Sequence, residues 1–335
     1  MAKKFIESGK RFIKENYKFF IVLVLILIIF GVQLPYKIYT PGGMVNLSER
    51  ISVEGGYTSE GELGMAYVSM VKGSVPFLLL SYIIPDWDIV PDSEITYDNQ
   101  SFEETIKADQ IATQQSIDSA IISAYKEAGK PVTVESEKVN ITYIENAADT
   151  DLQLFDQILQ IDGKEIKSTE DLRAIINSHQ AGDTLTIKVL RDEEQKECYA
   201  KIYQSKTGLK IGIAITVTYN YKEDPVASIE MKQSESGPSG GLMMSLAIYD
   251  ALTEEDITKG KKIIGTGTID VEGNVGEISG VKYKLIGAVH EKAEVFLVPE
   301  GNYEEAKKVK EEKGYDIELI SVSTLKEAIE ALSKI

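Results

Sequence analysis

The run SGPSGGLMMSLAIYDAL at residues 236–252 decides how the last third of this chain folds, and the other segments are placed around it. Pro238 with Gly237, Gly240 and Gly241 makes a sharp loop whose backbone another chain can approach closely. The apolar stretch that follows carries no charge before Asp250 and reads as a buried helix. Ser239 then lies at a helix amino terminus, where unpaired N–H groups and the helix dipole favour a developing negative charge. A serine nucleophile needs such surroundings for its oxyanion hole. Serine is also a favoured helix cap and Gly-Pro-Ser is ordinary loop chemistry, so on this run alone the capping role is the stronger reading.

Outward from that run, strands and helices alternate. Strands are expected at residues 210–219, 262–269, 294–298 and 317–322, and helices at 240–252, 281–292, 303–313 and 324–333, with Ser323 as the last cap. This is an α/β layer pattern over residues 205–335. A serine nucleophile there needs a base. His179 falls in a different segment and His290 late in a helix with no acid to orient it. The alternative is a lysine whose pKa burial lowers. Lys282 and Lys284 open the helix at 281, and helical angles do not separate them. The phosphate-binding pattern Gly-x4-Gly-Lys-[Ser/Thr] is absent from the sequence, which argues against ATP use.

Upstream, residues 132–204 form a strand-rich unit. A strand at 139–144, a second running into the Asp162-Gly163 turn, a helix at 169–178 and a strand at 184–190 follow in order. Residues 37–131 give short strands at 51–53, 65–71 and 77–84, then a helix over 101–130 closed by Gly129 and Pro131; this region is expected to pack with the later domains. Residues 19–32, FFIVLVLILIIFGV, hold no polar side chain, and Tyr17 and Tyr36 bracket them as interfacial aromatics. A spanning helix over 19–36 is expected. The basic tail at 1–18 keeps the amino terminus cytoplasmic and puts the rest outside a cell membrane as a single-pass protein.

Composition narrows the chemistry. Of the net charge of −17, the first 18 residues contribute +4 from six basic and two acidic side chains, so the remainder carries −21. A body that acidic repels phosphate backbones, which excludes nucleic acid, and attracts basic peptides over long range. One cysteine, Cys198, and two histidines cannot build an intramolecular disulfide, a zinc ribbon or an iron–sulfur site; no metal or cofactor is expected.

The run FDQILQIDGKEI at residues 155–166, followed by a short helix, resembles a PDZ domain, which captures extended peptide ends at a sheet edge. Residues 236–241 resemble the Asp-Gly-Pro-Ser-Ala-Gly motif of Lon-type Ser/Lys peptidases. The segments Gly265-Thr266-Gly267-Thr268-Ile269 and Gly273 to Gly280 are similar to that family's approach to its lysine. The resemblance implies Ser239 as nucleophile, Lys284 as base and Thr266 as the hydroxyl supporting it, with Gly237, Pro238 and Gly240 in the oxyanion loop. Ser236 stands in place of the family's acidic residue, and Gly240 in place of its alanine, a change that looks benign. With the anchor and the PDZ-like unit, the whole chain resembles the membrane-anchored, PDZ-containing Lon-like proteases of Gram-positive bacteria, an α/β (α+β) multidomain architecture.

The function this implies is a membrane-tethered, ATP-independent serine endopeptidase cutting exported peptides or unfolded proteins. Lon-type domains commonly form rings, so a homo-oligomer fits as well. The competing reading is a non-catalytic, membrane-tethered scaffold with a peptide-binding PDZ domain. A penicillin-interacting enzyme is also suggested by Ser279-Gly-Val-Lys282, Lys206-Thr207-Gly208 and Tyr97-Asp98-Asn99, but their order is wrong for that family.

Overall fold

A computed structural model describes residues 11–96, 100–232, 235 and 237–335. The described chain forms two compact units. The larger takes in Gly42–Tyr67 and residues from 100 onward, and the smaller takes in residues up to Pro41 with Val68–Thr96.

The core of the larger unit is a sheet in which Glu318–Val322, Val295–Pro299, Lys262–Gly265 and Glu62–Lys72 run side by side in parallel. Side chains on a strand point alternately to its two faces, and here each face carries its own core. Ile263, Val295, Leu297 and Met65 join the helices Phe102–Glu127, Gly241–Leu252 and Leu325–Leu332 on one side. Ile264, Phe296, Val298 and Ala66 meet Val281–His290 and Tyr303–Lys313 on the other. The helix that follows Ser239 and the helix that bears Lys284 therefore sit on opposite faces of one sheet.

The long helix Phe102–Glu127 is fixed at both ends. Ser101 and Glu104 exchange side-chain to backbone hydrogen bonds in a capping box. At the other end Gly129 takes a left-handed conformation and Lys130 N–H closes onto Tyr125 O at 2.9 Å. Its small side chains let it approach the serine-bearing helix closely, with Ser123 Oγ 3.2 Å from Ser245 Oγ.

The second sheet of this unit has its own apolar core, built from Val139, Ile141, Ile158, Leu185, Ile187 and neighbours. Its strand order is Ile213–Glu223, Val132–Ile144, Gln157–Ile161, Thr184–Arg191, Glu194–Lys201. The last two form a hairpin whose turn residues Asp192 and Glu193 both have positive φ, as a two-residue hairpin turn demands. The strand expected at 210–219 begins at Ile213 and pairs along its length with Val132–Ile144. It completes this sheet rather than opening the α/β layer, while Glu62–Lys72 and the Phe102–Glu127 helix, far upstream, complete the α/β core.

Other expectations change for local reasons. Residues 77–84 are not a strand; Val75–Ser81 is a helix with Pro76 in its first turn, where a missing N–H and a fixed φ suit a helix start and defeat a ladder. The strand expected over 262–269 breaks after Gly265: Thr266 N–H still bonds Leu297 O of the neighbouring strand, but Gly267 N–H turns to Ser239 O and Thr268–Ile269 pair with Val275–Gly276 instead. Thr324, not Ser323, caps the last helix through Glu327 N–H.

In the smaller unit Tyr17–Gly31 is helical with no buried residue. It stops short of the expected 36: Val32 is already extended, Pro35 follows, and Tyr36 opens a strand paired with Asp88–Pro91. Among the described residues no helix is long and apolar enough to cross a membrane. Residues 1–10 of the basic tail lie outside the described residues.

Asp156 is fully buried in the second sheet's core, and both of its oxygens accept from Arg191, at 2.7 and 2.6 Å. Arg191→Ala removes the charge partner of that carboxylate, leaving it the Gln153 N–H, and should lower unfolding free energy in denaturant titrations by about 3–5 kcal/mol.

Candidate active site

Ser239, Thr266 and Lys284 come together where the strand Lys262–Gly265 ends. Each arrives for a separate reason. Gly237, at φ 115°, turns the chain into a short 3-10 turn, Pro238–Gly240, which presents Ser239 just before the helix Gly241–Leu252. Thr266 is the next residue after the strand. Gly280, at φ 73°, starts the helix Val281–His290 from the other face and points Lys284 inward.

The Lys284 ammonium donates to Ser239 Oγ at 2.7 Å and to Thr266 Oγ1 at 2.9 Å. Thr266 Oγ1 in turn donates to Ser239 O at 3.0 Å, and Gly267 N–H donates to the same carbonyl at 2.8 Å. With its own proton committed to that carbonyl, Thr266 can only accept from Lys284. One amine proton is thereby held toward Thr266, and when the amine is neutral its lone pair is free to face Ser239.

Lys284 is 4% exposed and Thr266 fully buried, beside Val281 and Leu285. Burial, which penalises the charged amine, lowers its pKa to about 8. Lys282, two residues away, is only half-buried and lies over the Tyr283 ring. The structure thus separates the two lysines that helical angles leave equivalent.

The long helix braces the serine loop. Thr113 Oγ1 accepts from Gly237 N–H at 2.6 Å, and Ser116 Oγ donates to Pro238 O at 3.0 Å. Sequence reasoning passed over both; the available hint was the set of small hydroxyl side chains at helical spacing, Thr113, Ser116, Ser119 and Ser123, all of which the helix buries. Gly240 is less interchangeable than it looked. A Cβ there would lie 2.5 Å from Met65 Sδ, so Gly240 and the Met65 side chain share one space. Ser236 lies outside the described residues, and so does the Tyr97-Asp98-Asn99 fragment. Lys206-Thr207-Gly208 belongs to the turn of a small hairpin, Tyr203–Ser205 with Gly208–Lys210.

Neither histidine serves this cluster. His179 is occupied by Ile175 O and Asp162, and His290 is exposed at the end of its helix. Among the described residues no three His, Cys, Asp or Glu side chains are grouped to hold a metal ion.

Residues 229–334 match the Lon protease (S16) C-terminal proteolytic domain, and residues 126–202 match a PDZ domain. This chain carries a Lon-type serine peptidase domain. Over 96 residues it is 31% identical to a Lon protease of Desulfatibacillum aliphaticivorans, covering 29% of this chain and 11% of that protein. Over 97 residues it is 33% identical to the Lon protease of Campylobacter jejuni, covering 29% and 12%. The chain thus spans about a tenth of the length of these curated relatives. Among solved structures, the PDZ domain of an SdrC-like protein from Listeria monocytogenes is 26% identical, covering 25% of this chain and 93% of that one at a TM-score of 0.23. The Lon-type match begins at 229, so the strand Glu62–Lys72 and the bracing helix lie outside it.

Burying an amine whose pKa falls to about 8 costs stability while it is charged. The unfolded chain binds that proton more tightly, up to the ordinary lysine value near ~10.4, so stability should rise with pH between the two values. Lys284→Met, a neutral side chain of similar length, should therefore stabilise the fold at pH 7 by about 1–3 kcal/mol, a gain that fades at higher pH. Denaturant titrations of both proteins at pH 7 and pH 10 check this.

Proposed function

We propose that the chain is a membrane-tethered serine endopeptidase that cuts exported peptides or unfolded proteins without ATP. The observation that carries the reading is the 2.7 Å contact between Lys284 Nζ and Ser239 Oγ, with Lys284 also bonded to the buried Thr266. Neutral Lys284 takes the Ser239 proton as Oγ attacks the peptide carbonyl. Backbone N–H groups around Ser239, on the loop Gly237, Pro238 and Gly240 set, hold the oxyanion. The ammonium then protonates the leaving amine, and water, deprotonated by the same lysine, hydrolyses the acyl ester and regenerates Ser239.

The PDZ domain captures substrate. Ile213–Glu223 is an edge strand of its sheet, with Gly212 at φ 77° just ahead of it. Its Tyr219 N–H is already taken by Asp118 of the bracing helix at 2.8 Å. The proposed peptide edge is therefore the earlier part, residues 213–217, where an added strand gains main-chain hydrogen bonds. Tethering is supported by the basic residues that precede the apolar Tyr17–Gly31 helix, and ATP independence by the missing P-loop pattern.

The test is cleavage of an unstructured peptide mixture by the full chain, without ATP, followed by mass spectrometry. Wild type should cut; Ser239→Ala and Lys284→Arg should not, since a guanidinium stays protonated. Thr266→Val should retain cleavage at roughly 10–100-fold lower kcat. Because the base is the neutral amine with a pKa of about 8, kcat/KM should fall about tenfold per pH unit below pH 8 and level off above it. No cleavage by folded wild type would favour the scaffold reading, and cleavage surviving both substitutions would remove the dyad.

A further inference from the structure

We propose that residues 73–87 form a second membrane-contacting surface, an apolar finger lying in the outer half of the bilayer beside the Tyr17–Gly31 helix. This rests on the membrane-tethered reading above.

From Gly73 to Trp87 the sequence GSVPFLLLSYIIPDW contains one charge, Asp86. It folds as the helix Val75–Ser81 and the turns after it, yet it leaves several of its apolar side chains in the open. Leu79, Tyr82 and Ile83 are 62%, 81% and 76% exposed. A run of apolar side chains left outside a core marks an interaction surface.

Three observations make the partner a lipid surface. First, the finger is clamped to the chain that leaves the apolar helix. Leu34 N–H donates to Gly73 O and Gly73 N–H donates to Tyr36 O, both at 2.9 Å. At the far end Asp88–Pro91 pairs with residues 36–39, and Lys37 meets Asp92 at 2.8 Å. Second, Val75–Ser81 packs beside Tyr17–Gly31, so the exposed apolar surfaces of both helices lie together. Third, the uncharged stretch of that helix, Phe19–Gly31, rises about 20 Å, short of a hydrocarbon core of roughly 30 Å.

The finger makes up that shortfall in two ways. Its side chains supply apolar surface beyond Gly31, and its Gly73 carbonyl satisfies the Leu34 N–H, a group that hydrocarbon could not. Tyr82 and Trp87, the latter 6.4 Å from Phe77 between ring centres, are the amphipathic rings that settle at headgroup level.

Trp87 is the chain's one tryptophan, so its fluorescence reports the finger alone. The full chain would be reconstituted into phosphatidylcholine–phosphatidylglycerol vesicles and assayed by flotation and by quenching. The proposal expects the chain to float, Trp87 emission to shift to the blue, and lipids brominated near the headgroup end of the acyl chain to remove most of it. Leu79→Asp with Ile83→Asp should leave flotation intact and abolish the lipid quenching. A floating chain whose Trp87 is quenched by aqueous iodide and untouched by brominated lipid would overturn the finger while leaving the tether standing. Shielding from both quenchers that grows with protein density would assign the surface to a second copy and likewise overturn it. A chain that does not float would overturn the tether and the finger together.

Discussion

A lysine amine held between two hydroxyls, with no carboxylate paired to it among the described residues, is the constraint on which the rest of this architecture turns. Removing the charge from water is unfavourable, and that cost lowers the amine's pKa toward the range where it can accept a proton. A buried lysine survives only where packing around it is strong. Here it has a sheet whose two faces each carry a complete apolar core, with Val281 and Leu285 of the lysine's own helix fully buried. Serine and lysine arrive from opposite faces, and the end of one parallel strand is where both can reach, the usual place for a site in an α/β sheet.

The same geometry explains why the protease core is assembled from distant parts of the chain. Glu62–Lys72 supplies the strand next to Lys262–Gly265, and the Phe102–Glu127 helix lies against the serine-bearing helix. That long helix also touches both functional regions. Thr113 and Ser116 hold the serine loop, while Asp118, buried and raised in pKa by desolvation, accepts from Tyr219 in the edge strand of the PDZ sheet. One helix thus braces the Ser239 loop and the proposed peptide-binding edge within a few residues of each other.

Much of this was legible in sequence, where side-chain pattern alone determines the outcome. The helix at 303–313 and the run into the Asp162-Gly163 turn followed from periodicity and turn chemistry, and the long helix from its apolar spacing and the stop at Gly129 and Pro131, though not its capping box. What stayed hidden were choices that depend on partners far along the chain. The strand expected at 210–219 reads as part of the α/β layer that follows it, and only the pairing of residues 213–223 with Val132–Ile144 moves it to the other sheet. The apolar run after Gly73 suits a strand or a helix, and Pro76 decides by its lost donor. At the site, motif resemblance chose Lys284 where helical angles could not. Thr113, Ser116 and the Gly240–Met65 fit needed three dimensions, because nothing in local sequence records which hydroxyl faces a loop more than a hundred residues away.

In the proposed mechanism burial alone makes Lys284 a base at neutral pH. The most direct test is an NMR titration of the full chain carrying isotope-labelled lysine, with the Lys284 resonance assigned by loss in Lys284→Met. The account predicts a midpoint of about 8 for that amine. A midpoint in the ordinary lysine range near ~10.4 would contradict it, since the amine would then be charged throughout the neutral range and unable to take the serine proton.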